Sequence, residues 1–402
     1  LGKMGGAALG YASDIEVLFI YSDNGETDGT KRISNSEFFS LLVKELSQSI
    51  HAKREGIFNL DLRLRPYGQD SPLACSLMNF IRYYGPEGDA HSYENLALVR
   101  LRFITGSRDF GQRVERVRND LVYTAQSINL SELKDLRARQ RMGKEMTGRI
   151  NAKFSPGGLV DLEYSIQILQ VLHGKKECAL RTPRIHEALD VLSGMGILSS
   201  EEQMQLLDAY GFYRRLINGL RMLRGNALDL FLPDSDSEEY IHLARRMGYV
   251  IQGELSPGQQ LRLEYMSYSA VVKAFLERHF GQQSIIVREY GNLADLLLSD
   301  SVPDDTVSQV IGSYGFKDIR RAYTNFKDLM KGMDRIRFVR TAILAALMLV
   351  RVPDPDMALN NWERFLGRYT DKEEHFSLIL SQPTRLEILL TVFSNSQYLS
   401  DA

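Results

Sequence analysis

Hydrophobic and polar positions along this chain fall into a mixed first part and a helical remainder. Ile15–Tyr21 is a short apolar run with the spacing of a β-strand. It ends in a polar loop, Ser22 to Thr30, with turn chemistry at Asp23-Asn24-Gly25 and Asp28-Gly29. The capping-box pattern Ser34-x-x-Glu37 then opens a helix expected to bury Phe39, Leu42, Leu46 and Ile50. A second strand is expected over Ile57–Leu64, stopped by Pro66 and Gly68. Whether the two strands pair in parallel or antiparallel is left open by the pattern.

Beyond about Leu121 the spacing becomes helical almost throughout. Gly157-Gly158 breaks the chain, and the next helix carries Leu162, Ile166 and Leu169 on one face and a polar stripe of Glu163, Gln167 and Gln170 on another. Ser199-Ser200-Glu201-Glu202 opens a further helix, continued by Leu207–Leu223. Pro233 to Ser237 and Ser256-Pro257-Gly258 read as polar breaks. From about Ile285 a third helical block begins, with Pro303-Asp304-Asp305 and Pro353-Asp354-Pro355-Asp356 marking helix starts. These breaks divide the chain into residues 1–120, 121–284 and 285–402, an α+β domain followed by two mostly α-helical ones. No repeat of fixed period is present.

Composition narrows the classes. The 402 residues suffice for two or three domains, and 44% hydrophobic with 25% charged residues is ordinary for a globular protein in water. A net charge of -2 argues against an extended nucleic-acid footprint. The two cysteines, Cys75 and Cys178, form neither metal-ligand spacing nor a disulfide framework, which fits a reducing cytoplasm. The most apolar run, Thr341 to Val350, is shorter than the roughly 18 residues of a membrane span and is flanked by Arg337, Arg340 and Arg351, so it is expected to be a buried helix. The chain opens at Leu1 inside a motif, as a piece of a longer protein would.

The chemistry concentrates on the two strands. Strand side chains alternate faces, so Asp14 and Glu16 point the same way, and Asn59, Asp61, Arg63 and Arg65 share one face opposite Phe58, Leu60, Leu62 and Leu64. Side by side, the strands would set three carboxylates and two arginines around one cleft. Carboxylates suit Mg²⁺ or Mn²⁺, and arginine forks suit phosphate. Upstream, Gly5-Gly6 would let backbone approach a phosphate, with Ser13 beside Asp14. The plainer alternatives are a solvated strand edge for Asp14 and Glu16, and an ion pair between Asp61 and Arg63 or Arg65. Seven histidines, His173 among them, show no ligand spacing.

Gly2-Lys3-Met4-Gly5-Gly6, running through Ser13-Asp14-Ile15-Glu16-Val17-Leu18-Phe19, resembles the nucleotidyltransferase signature of bacterial glutamine synthetase adenylyltransferases. Asp61-Leu62-Arg63-Leu64-Arg65-Pro66-Tyr67-Gly68 resembles the second signature of that family. Tyr93-Glu94, Ala97 and Val99-Arg100-Leu101-Arg102 are similar to its third, and Lys153 with Pro156 through Tyr164 to the segment opening its helical domain. Two positions depart: Glu16 stands where the family usually has aspartate, and Tyr93 where it usually has tryptophan. The added methylene of Glu16 displaces its oxygens and keeps a nucleotide- or PII-sensing module without turnover in play.

The resemblance implies a polymerase-β-like nucleotidyltransferase domain followed by a helical bundle and a helical connector. It implies transfer of AMP to or from a tyrosine of glutamine synthetase. Asp14, Glu16 and Asp61 would be metal-binding and catalytic, and Gly5, Gly6, Ser13, Arg63 and Arg65 would bind nucleotide or phosphate. ATP, ADP and phosphate are the implied substrates. Glu94, Arg100, Gly157, Gly158, Asp161 and Glu163 either border this cleft or are structural: a loop, an acidic first turn and ion pairs explain them equally well. The family joins two catalytic halves in one chain, and the order of segments here is that of the AMP-removing half. Alternatives are the adenylylating half and a PII uridylyltransferase.

Overall fold

The computed structural model describes residues 1–50, 59–124, 129–144, 148–281, 290–367 and 372–395. These residues are mostly helical and form two compact units. The first comprises Leu1–Glu145, Asn151–Phe154 and Leu159–Phe231; the second comprises Met146–Ile150, Ser155–Gly158 and Leu232–Ala402. The boundary expected at residue 120 falls inside a helix of the first unit, and the one expected at 284 lies outside the described residues.

In the first unit a short α1 (Gly2–Gly5) leads to β1 (Ile15–Glu16) and β2 (Phe19–Tyr21). Then come α2 (Asn35–Ser49), β3 (Leu60–Asp61) and β4 (Ala74–Ser76). β1 pairs in parallel with β3, in register Ile15 to Leu60 and Glu16 to Asp61, and β2 pairs in parallel with β4. The single strand expected over Ile15–Tyr21 is therefore interrupted at Val17-Leu18. The cause lies in its partner: after Asp61 the neighbouring chain leaves in a turn through Pro66 and Gly68 and returns only at Ala74. The second strand shrinks likewise from the expected Ile57–Leu64 to Leu60–Asp61, with Ile57 and Phe58 outside the described residues. Arg63 and Arg65 thus sit on a turn, not a strand face; Arg65 N donates to Leu62 O at 3.2 Å, and Gly68 N to Arg65 O at 3.0 Å. β4 is three residues long, too short to leave a period in the sequence.

Ser34 caps α2 by accepting from Glu37 N at 3.2 Å. The small core beneath gathers Tyr21, Val43 and Ala74 with Phe19, Phe39, Leu62 and Leu73. Tyr21 and Phe39 stack at 5.0 Å. Leu42, Leu46 and Ile50, expected inside, are exposed. A sheet this narrow covers only the row of α2 that holds Phe39 and Val43.

The unit continues through α3 (Leu77–Tyr84), α4 (Ser92–Ala97), α5 (Arg108–Tyr123), α6 (Leu130–Met142), α7 (Leu159–His173), α8 (Ile185–Gly194) and α9 (Ser200–Arg224). Leu162, Ile166 and Leu169 of α7 are buried, and so is the stripe of Glu163, Gln167 and Gln170. Buried polar groups persist where they find partners: Gln170 Nε2 donates to the carbonyls of Leu180 and Thr182, both at 2.7 Å. A capping box of Ser199 and Glu202 opens α9, which runs unbroken to a left-handed Gly225.

The second unit comprises α10 (Glu238–Arg246), α11 (Pro257–Phe280), α12 (Leu293–Leu298), α13 (Asp304–Gly312), α14 (Ile319–Met330), α15 (Arg335–Leu349), α16 (Pro355–Leu366), α17 (Lys372–Ser381) and α18 (Pro383–Asn395). Ser256-Pro257-Gly258, expected as a break, starts α11: Ser256 accepts from Gln259 N, and proline fits the first turn. The acidic starts of α13 and α16 stand where the sequence puts them, Asp354 accepting from Met357 N at 2.9 Å. Of the apolar run beginning at Thr341, residues 341–346 and Leu349 are buried in α15, which also holds Phe338 against Phe376, while Leu347 and Val350 are exposed. No single described helix is long and apolar enough to cross a membrane; α17 and α18 pass that test only together, bent by 110°.

Candidate active site

The register of β1 and β3 sets Glu16 opposite Asp61, with Asp14 two residues earlier on the same face. Asp14 and Asp61 line a cleft of about 470 Å³ with Asn59, Arg63, Arg65 and Gln69. Glu16 is not among its lining residues. Its carboxylate lies against the backbone of Gly2, where an added Cβ would come 1.1 Å from Oε2. Two of the three expected carboxylates therefore share the cleft, and the extra methylene of Glu16 carries its oxygens to α1.

Arg63 forks Asp61: Nε stands 2.9 and 3.0 Å from the two carboxylate oxygens and Nη2 2.5 Å from Oδ2, while Arg63 N donates to Oδ1 at 2.9 Å. Burial works to raise the Asp61 pKa, but these bonds outweigh it and hold the carboxyl below its ordinary value. Arg65 is buried, and its guanidinium donates to the carbonyls of Ser71, Leu62 and Gln69. It braces the turn that forms the cleft wall.

All-carboxylate donors fit a hard divalent cation such as Mg²⁺ or Mn²⁺. Among the described residues no three acidic, histidine or cysteine side chains close on one point. Asp61 is engaged by Arg63 and Glu16 is turned to Gly2, so Asp14 and Asp61 are the pair whose position fits such an ion.

The glycine segment is packed closely. Gly5 N and Gly6 N donate to the carbonyls of Leu1 and Gly2, and a Cβ on Gly5 would come within 1.8 Å of Arg100 O. Arg102 binds the end of α1, donating to Gly5 O and Met4 O at 2.9 and 3.1 Å. Helix α9 holds the loop between α1 and β1. Arg221 Nη1 donates to Ser13 Oγ at 2.8 Å and to Tyr11 O at 3.0 Å, and Ser13 Oγ also accepts from Gly10 N. Gly10 lies so close to Asn218 that a Cβ would meet its Oδ1 at 2.3 Å. Ala12, fully buried, takes a φ of +52°, a strained value for a residue with a Cβ. Asp14 is thus aimed by a helix some two hundred residues downstream. Arg221 escaped the sequence reading; the signal available was its polar i,i+3 spacing from Asn218 beside the apolar Phe212, Tyr213, Leu216 and Leu220.

The remaining expected residues are interior. Glu94 accepts from Tyr83 OH at 3.0 and 3.1 Å and from His91 N, closing the start of α4. Glu163 pairs with Lys3 and, at 3.2 Å, with Arg100. Burial would raise its pKa, yet Arg100 and Lys3 hold it down to about 2. Burial in turn lowers Lys3 to about 7 against the pull of Glu163. Asp161 is fully buried against Arg137 at 2.6 Å. Gly157 and Gly158 belong to the second unit, where Gly157, at φ +74°, packs against Ser269 so closely that a Cβ would lie 2.5 Å from its carbonyl.

Residues 1–117 match the family described as Glutamate-ammonia ligase adenylyltransferase, and residues 130–280 the one described as GlnD PII-uridylyltransferase. A Bifunctional glutamine synthetase adenylyltransferase/adenylyl-removing enzyme of Stenotrophomonas maltophilia (strain R551-3) is 28% identical over 424 aligned residues, covering 100% of this chain and 43% of the relative. The protein of the same name from Pseudomonas aeruginosa is 26% identical, covering 100% of this chain and 42% of the relative. That of Aromatoleum aromaticum is 31% identical over 289 residues, 70% of this chain and 29% of the relative. The chain spans less than half the length of these relatives.

Proposed function

The chain belongs with the glutamine synthetase adenylyltransferase/adenylyl-removing enzymes, to which it is related along its whole length, and on that premise we propose that it moves AMP to or from a tyrosine of glutamine synthetase. The observation that carries this reading is the meeting of Asp14, immediately before β1, and Asp61 of its partner β3 in one cleft. In the removal direction an oxygen of inorganic phosphate attacks the α-phosphorus of tyrosyl-AMP. The bond to the tyrosyl oxygen breaks, ADP forms, and the tyrosyl oxygen takes up a proton. In the addition direction the tyrosyl oxygen attacks the α-phosphorus of ATP, pyrophosphate leaves, and Asp61, kept ionised by Arg63, is the group suited to receive the proton. A divalent cation held by Asp14 and Asp61 would supply neutralisation of the charge that develops on the phosphoryl oxygens. A polymerase-β-like fold for the catalytic segment, a cytoplasmic setting and a second catalytic half in the full-length protein are parts of the same proposal.

Removal is the favoured direction, because helical segments follow the catalytic one in the order expected of the AMP-removing half. The match of residues 130–280 to a PII-uridylyltransferase supports a second reading, in which the helical part meets a PII signal protein and the nucleotide is UMP. One experiment separates them. The chain is incubated with adenylylated or unmodified glutamine synthetase, or with PII, in the presence of phosphate, ATP or UTP, and the modified tyrosine is followed by mass. Phosphate-dependent loss of AMP is expected, and Asp14→Asn lowers it by roughly a hundred-fold or more with the melting temperature unchanged. Equal turnover by parent and Asp14→Asn overturns the assignment.

A further inference from the structure

One pocket of the second unit, of about 270 Å³, shares no residue with the Asp14–Asp61 cleft and is built by four segments. Helix α15 lines it with Arg337 and Arg340, which stand three residues apart and so share one helix face. Helix α11 contributes Leu263 and Glu264, and α17 contributes Ser377, Leu380 and Ser381. The turn from Gln252 to Leu255 closes the remaining side. Its own backbone fixes it, Gln252 N donating to Leu255 O at 3.3 Å and Leu255 N to Gln252 O at 3.1 Å. The turn is also tied to the end of α17: Glu254 N donates to Ser381 O at 3.2 Å. Gly253, at φ +57°, lies so near that carbonyl that a Cβ would come within 1.8 Å of it.

Two guanidinium groups line this pocket with a single carboxylate, and that carboxylate serves them poorly. Glu264 Oε2 accepts from Tyr249 OH at 2.5 Å, while Oε1 stands 3.5 Å from Arg340 Nη1, beyond the roughly 2.7–2.9 Å of a charge-assisted bond. The Arg340 guanidinium is held 5.5 Å from the centre of the Tyr268 ring, and its buried Nε donates to no acceptor among the described residues. Arg337 uses Nη1 on the neutral Ser377 Oγ at 3.2 Å, and among the described residues no carboxylate pairs with its side chain. The neighbouring acids are committed to backbone: Glu254 accepts from Thr384 N and Asp334 from Arg337 N, both at 2.7 Å. Donors left over on two planar forks suit a carboxylate or phosphate group, and Leu255, Leu263 and Leu380 give apolar wall for a short carbon body. The volume, just under the roughly 300–1,000 Å³ of drug-sized ligand sites, fits a small metabolite. We propose that Arg337 and Arg340 bind the carboxylate or phosphate group of such a molecule in this pocket. The proposal stands apart from the nucleotidyl-transfer reading and uses none of its residues.

Isothermal calorimetry of the purified chain tests it, in EDTA and at an ionic strength held constant with chloride. The probes are inorganic phosphate, glycerol 3-phosphate and succinate, titrated into the parent, Arg337→Gln, Arg340→Gln and Asp14→Asn. At least one probe is expected to bind the parent and Asp14→Asn alike, and each arginine variant to weaken it by about ten-fold or more. Binding of the two phosphates without succinate assigns a phosphate ligand; succinate alone assigns a carboxylate; all three assign either group. Parent-like binding by a folded arginine variant overturns the proposal, and so does a parent that binds none of the three. A loss in Asp14→Asn equal to that in the arginine variants places the anion at the other cleft and overturns it as well. Arg337 is exposed, so Arg337→Gln is expected to melt with the parent, and it decides the question if Arg340→Gln does not fold.

Discussion

Arg63 keeps Asp61 ionised and at the same time occupies the oxygens that a metal would take. It is mostly exposed, with 69% of its side chain accessible, so removing it opens the carboxylate without opening the core. Arg63→Ala is expected to tighten Mg²⁺ or Mn²⁺ binding several-fold in a calorimetric titration, with the unfolding midpoint unmoved. Weaker or unchanged metal affinity would mean that Asp61 is no ligand. Arg65, two residues on, has the opposite profile. Arg65→Ala strands the carbonyls of Leu62, Gln69 and Ser71 and is expected to lower stability by about 2–4 kcal/mol in denaturant unfolding. Its effect on phosphate affinity follows from the disturbed turn, so no phosphate-specific change in KM is expected.

Elements differ in how plainly the sequence announces them, and the difference is one of range. Helix starts at Ser34, Ser199 and Asp354 were legible because a cap is a contact between residues three apart. Strand pairing was not, because β1 ends where a partner some forty-five residues later turns away. The outward Leu42 and Leu46 of α2, and Ile50 just past its end, follow helical spacing, but which row faces inward depends on a sheet whose width the spacing does not encode. For the candidate site, the identities of Asp14 and Asp61 were readable, whereas the turning of Glu16 to Gly2 and the hold of Arg221 on Ser13 were not, the latter linking residues 208 apart. The glycines were read as a place for phosphate to approach. At Gly5 what approaches is the Arg100 carbonyl, so Gly5→Ala is expected to cost about 1–3 kcal/mol of unfolding free energy and to loosen α1 from Arg102. A Gly5→Ala protein with parent-like stability would show that α1 can move aside.

Across the first unit, Glu163 joins α1, the segment at Arg100 and α7 through buried charge. Its folded pKa of about 2 lies below the ordinary 4.5, so the unfolded chain takes up the proton first as pH falls. The stability it contributes is complete above pH 4.5 and drains away towards pH 2. Glu163→Gln leaves Lys3 and Arg100 buried without a counter-charge and is expected to lose about 3–5 kcal/mol at neutral pH. Denaturant midpoints measured from pH 7 to 2 should fall less for the variant than for the parent; parallel curves would place the acid sensitivity elsewhere. The same triad bears on descent. A lineage that replaces Lys3, Arg100 or Glu163 alone passes through an ancestor carrying an unbalanced charge in its interior, with a deficit comparable to the whole stability of many proteins. Substitutions at these three positions are therefore viable chiefly as a set, which makes the triad a joint inheritance.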